Sequence, residues 1–125
     1  MSAFVEVETK FLHETHLLQA LQDLGLPAVA HKTAVQVVGY TGPGPRGEIT
    51  VAKGSCSDTR YEGFAFKREA NGTYTAHIGS HFTRMGELKQ RYAQHVVVAQ
   101  AKAKGYRVIG TETVNGRVKI RLAGR

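Results

Sequence analysis

The chain has 125 residues, 42% of them hydrophobic, so it can bury a core without metal or disulfide staples and does not read as a disordered chain. Its formal net charge is +7, and the excess is one-sided: residues 1–62 carry five Lys/Arg against seven Asp/Glu, residues 63–125 twelve against three (Glu69, Glu87 and Glu112). One cysteine, Cys56, excludes an internal disulfide, and no apolar stretch approaches the roughly 18–20 residues that a membrane span needs.

The length predicts one domain over residues 1–125. The start, Met-Ser-Ala-Phe-Val-Glu-Val-Glu, has no basic segment followed by an apolar run, so a signal peptide is not expected and the chain reads as cytoplasmic. Alternation over residues 3–9 predicts a first strand. Leu17, Leu18, Leu21 and Leu24 fall at helical spacing from Glu14 to Leu24, with Gly25 and Pro27 as the stop. Val35 to Tyr40 reads as a second strand. Thr41-Gly42-Pro43-Gly44-Pro45-Arg46-Gly47 is expected to be a mobile loop, and Ile49 and Val51 mark a third strand closed by Gly54. After a polar loop at Ser55–Thr59, strands are predicted at Tyr61–Arg68 and Thr73–Ile78, joined by a turn containing Asn71-Gly72. A long helix follows from Arg84 to Lys104, with Met85, Leu88, Tyr92, Val96, Ala99 and Ala103 on its apolar face and Gly105 as its stop. Tyr106–Val114 and Arg117–Leu122 flank a second Asn-Gly signal, Asn115-Gly116. The expected fold is α+β, a mostly antiparallel sheet with two amphipathic helices packed on one face, in loosely ferredoxin-like order.

Catalytic signatures are weak throughout. Gly42 and Gly47 have P-loop spacing, but Glu48 and Ile49 stand where Lys and Ser/Thr would be required, and two prolines remove phosphate-cradling amides. His13 and His16 are three apart, whereas a zinc helix needs four. His77 and His81 are four apart, at an expected strand end and loop, without an obvious third ligand. Cys56 lacks a visible base. No catalytic, cofactor or metal residue is assigned.

Two basic patterns remain. Arg117, Lys119 and Arg121 alternate with Val118, Ile120 and Leu122, so the three cations share one strand face at steps of about 6.6–6.8 Å. On the long helix Arg84, Arg91 and Lys102 lie within about 20° of one another, with His95 beside them. These six form the candidate partner-binding set. Phe64, Phe66 and Tyr74 are expected in the core rather than stacked on bases, and Tyr61–Phe66 does not match the RNA-binding strand signature.

Several segments carry a family resemblance: Phe4…Thr9-Lys10, Ala20-Leu21-Gln22-Asp23-Leu24-Gly25, Val38-Gly39-Tyr40, Gly63-Phe64, Asn71-Gly72-Thr73-Tyr74, Gln90-Arg91-Tyr92-Ala93 and Ala101-Lys102-Ala103-Lys104-Gly105-Tyr106. Over most of its length the chain resembles a small, uncharacterised family of hypothetical chloroplast and cyanobacterial reading frames. The resemblance implies an accessory protein rather than an enzyme, and names no substrate. His77–Phe82 departs from the acidic and aromatic cluster expected there. The leading expectation is a non-enzymatic module whose basic half engages an acidic macromolecule, nucleic acid or protein. A structural or adaptor subunit whose charges serve solubility is the alternative, and an enzyme built around His77, His81 and Cys56 ranks third.

Overall fold

The computed structural model describes residues 4–115 and 117–124. Along the chain lie β1 (Phe4–Glu8), α1 (Glu14–Asp23), β2 (Ala28–Val38), β3 (Pro43–Val51), a short 3-10 turn (Ser57–Thr59), β4 (Phe64–Arg68), β5 (Tyr74–Gly79), α2 (Met85–Ala103), β6 (Arg107–Val114) and β7 (Arg117–Ala123). Five strands form one sheet in the order β1-β5-β4-β3-β2, and β6 and β7 form a separate two-stranded ribbon. All pairings are antiparallel. The fold is α+β.

The strand order is not ferredoxin-like. Each of β3 to β5 lies beside its predecessor, and β1 closes on the free edge of β5, so no helical crossover joins parallel strands. Residue 3 of the first expected strand and Gly116 of the last turn lie outside the described residues, although Asn115 adopts the positive φ of +52° that its turn signal requires.

Residues 43–47, expected as a mobile loop, belong instead to β3. A turn closes with the Gly39 N–H donating to the Gly42 carbonyl, 2.6 Å, and β3 starts at once with Pro43. Both prolines are tolerated for local reasons. Gln36 pairs with Arg46 and Val38 with Pro43, so Gly44 and Pro45 oppose the single residue Val37 in a bulge. In addition β4 pairs only with Ile49–Val51, leaving the first half of β3 at an edge where a missing N–H costs no ladder bond. Gly44 fits because a Cβ there would meet the Val37 carbonyl oxygen at 2.9 Å. Strand β2 likewise begins at Ala28 rather than Val35.

Both helices cover the same face of the sheet. Leu17 and Leu21 of α1 and Leu88 and Tyr92 of α2 join Ile49, Val51, Phe64, Phe66, Tyr74, Ala76 and Ile78 in one buried cluster. Burying aliphatic and aromatic side chains of this size gains roughly 1.5–3 kcal/mol each before entropy is counted. Tyr92 also accepts from the Leu12 and His13 amides at 2.9 and 3.0 Å, fastening the start of α1 to α2. Beyond α1, α2 packs on β6 and β7. Its apolar stripe turns accordingly, with Ala101 buried while Ala103 is exposed. The opposite sheet face is polar, with Glu6 across from His77 and Thr75 across from both Glu8 and Lys67.

Candidate interaction surface

The six cations do not have equivalent surroundings. Arg84 is the N-cap of α2, and its guanidinium is engaged within the fold. Nη1 donates to Asp58 Oδ2 at 3.2 Å and to the Leu24 carbonyl at 2.9 Å, and Nε donates to Glu87 Oε2 at 3.3 Å. Glu87, then Asp58, hold its proton more tightly than an ordinary arginine's. Arg84 thereby joins the start of α2 to the 3-10 turn and to the end of α1. His95, beside the same stripe, bonds Asp23 Oδ2 at 2.6 Å and faces α1.

Arg91, Lys102, Arg117, Lys119 and Arg121 are all exposed. Among the described residues none of these five has an ion-pair partner, whereas Lys67, Arg68 and Arg84 do. The ribbon register sets Arg117 opposite Val114, Lys119 opposite Glu112 and Arg121 opposite Gly110, so one acid lies across from the row. The ribbon brings Arg117 onto α2, where it lines a hollow of about 350 Å3 with Gln90, Gln94, Val97 and Ile120.

A second hollow, of about 480 Å3, lies on the other flank of α2, between that helix and the segment after β1. Phe11, Tyr92 and Val96 line it, with Lys10, Lys89 and Glu8 also on its walls. The two hollows share Ala93 and Val97. Neither hollow is legible from the sequence, where Ala93 and Val97 carry no signal of exposure.

His77, His81 and Cys56 each have a different partner. His77 Nδ1 lies 3.7 Å from Glu6 on the polar sheet face. The Cys56 thiol meets the Thr59 hydroxyl at 3.3 Å. His81 bonds the Asp58 carbonyl through Nε2, 2.9 Å, and sets Nδ1 at 3.3 Å from Glu62 Oε1. Glu62 is 1% exposed, and neither of its carboxylate oxygens makes a hydrogen bond. It fits only because residue 79 is glycine, since a Cβ there would lie 2.0 Å from Oε1. Tyr61 stands edge-on to both His81 and Tyr40, with ring centres 6.1 Å apart in each pair. Among the described residues no group of three His, Cys, Asp or Glu could hold a metal ion, and no helix is long and apolar enough to cross a membrane. Sequence reasoning missed Glu62, because Tyr61-Glu62-Gly63 carries no signal that separates a buried glutamate from a solvated one.

The DUF1257 family, described as a protein of unknown function, matches residues 20–122. The chain belongs to this family. The DUF1257 match begins inside α1 and ends in β7, so it takes in α2, the ribbon and all six cations and leaves β1 outside. No curated protein and no solved structure matches the chain.

Proposed function

We propose that this DUF1257 chain is a non-enzymatic binding module that engages an acidic macromolecule through Arg91, Lys102, Arg117, Lys119 and Arg121. One observation carries the reading: these five cations, two on α2 and three on β7, are exposed and lack ion-pair partners among the described residues. Exposed cations without internal counter-charges raise the local concentration of anions and speed their encounter. The alternating spacing on β7 suits a regularly charged polymer better than a single small anion.

The test uses two polyanions, labelled single-stranded DNA and poly-glutamate, titrated with the wild type and with Arg117→Ala/Lys119→Ala/Arg121→Ala. Salt-sensitive binding that the triple variant weakens by about tenfold or more is expected. Failure to bind either polymer at low salt, or equal binding by the triple variant, overturns the reading.

A further inference from the structure

The outward face of α2 carries a feature that charge alone does not explain. Val97 is 41% exposed and Ala93 is exposed beside it, one turn earlier. From this pair the surface falls on one side toward Phe11 and Tyr92 and on the other toward Ile120, in hollows of about 480 and 350 Å3. Because both hollows include Ala93 and Val97, they join across α2 into one trough, with that pair at the saddle between them. A small side chain at 93 lets another helix approach to the usual interaxial distance of about 8–10 Å. The charged groups on the walls are Lys10, Lys89 and Arg117, against Glu8 alone.

We propose that this trough is the docking site for an acidic amphipathic helix of a partner protein. Apolar side chains one turn apart on that helix would enter the two hollows, and its carboxylates would meet Lys10, Lys89 and Arg117. Apolar anchors at helical spacing, laid into a groove, are an established means of recognising a helix. The charges select among occupants. A second copy meeting this face across a two-fold axis would set Lys89 and Arg117 against the same residues of its mate, on chains of net charge +7. A nucleic-acid backbone would be drawn to the row on β7 but has no aliphatic anchors for the hollows. The proposal rests on the acidic-partner reading and narrows it to a protein helix.

The probes are three synthetic peptides: one with leucines at helical spacing and glutamates elsewhere, a scrambled version of the same composition, and a version with lysines replacing the glutamates. The acidic amphipathic peptide should bind and gain helical circular dichroism, while the scrambled and lysine peptides bind about tenfold more weakly or worse. Val97→Gln and Ala93→Gln, uncharged substitutions at exposed positions, should each cost the acidic peptide about tenfold while leaving the melting temperature and the affinity for single-stranded DNA unchanged. Equal binding of the scrambled peptide, or indifference to both substitutions, overturns the trough and leaves the charged surface standing. Equal binding of the lysine peptide overturns the acidic-partner reading itself. A wild-type dimer that Val97→Gln separates assigns the trough to a second copy, and loss of DNA binding in Val97→Gln assigns it to nucleic acid. Either result refutes the proposal.

Discussion

At the scale of single residues, Glu62 carries the largest unbalanced cost. It has given up hydration without gaining a hydrogen bond, and its ion-pair partner among the described residues is His81. The Asp58 carbonyl only accepts, so Nε2 of His81 donates to it, and Nδ1 pairs with the carboxylate when the ring carries its second proton. An amide at position 62 would keep the shape, remove the carboxylate and present an N–H to Nδ1 of a neutral ring. Glu62→Gln should therefore raise the unfolding free energy by about 1–2 kcal/mol. His81→Ala, which strands the carboxylate, should lower it by about 2–3 kcal/mol, toward the low end for buried pairs because the imidazole is 37% exposed. Urea denaturation of both variants checks the pair, and a Glu62→Gln variant less stable than wild type would contradict the account. Tyr74 supplies a pH dependence. Burial raises its phenol above the ordinary value of 10.0, and the hydrogen bond from Arg68 only partly offsets this. The neutral phenol is thus favoured in the folded state: its contribution is complete below the ordinary tyrosine range and is lost as pH rises through that range toward the folded value. Stability should fall from about pH 10 upward, and Tyr74→Phe should flatten that slope in denaturation midpoints measured across alkaline pH.

Among elements, Arg84 decides how α2 is seated. Its bonds reach Asp58, Glu87 and the Leu24 carbonyl, so Arg84→Ala should cost about 1–2 kcal/mol of stability at this partly exposed site. The same variant should bind single-stranded DNA as the wild type does, which separates a bracing cation from a recruiting one; a several-fold loss in a DNA titration would place Arg84 in the binding surface. This contrast marks how far the sequence was legible. Both helices could be read within a residue of their ends from Leu spacing and from Gly25 and Gly105, since helix periodicity and stops are local properties. The Asn71-Gly72 and Asn115 turns were equally plain. Helical angle groups Arg84 with Arg91 and Lys102 but says nothing of Asp58, which arrives from 26 residues away. Pro43–Gly47 was misread for a similar reason: a bulge opposite Val37 and a sheet edge without β4 are tertiary facts, and composition alone reports only two prolines and two glycines. The trough depends on where β7 and the Phe11 segment flank α2, which no local pattern encodes.

For the whole molecule, the asymmetry of charge along the chain becomes an asymmetry of surface. Glu6 lies beside His77 on the polar face of the sheet, whereas the unpaired cations lie on α2 and the ribbon. Their lack of ion-pair partners among the described residues leaves these cations available to anions, and it makes a quantitative prediction about salt. If all five cations displace counterions from single-stranded DNA, the logarithm of the binding constant should fall against that of the salt concentration with a slope of about −3.5, and the two cations left by the triple substitution on β7 should give about −1.4. Fluorescence anisotropy across a series of salt concentrations reads both slopes directly. A wild-type slope near −1.4 that the triple substitution leaves unchanged would confine recognition to Arg91 and Lys102. The ribbon would then serve to flank α2 rather than to bind, because a row of cations touching the polymer must change the number of ions released when it is removed.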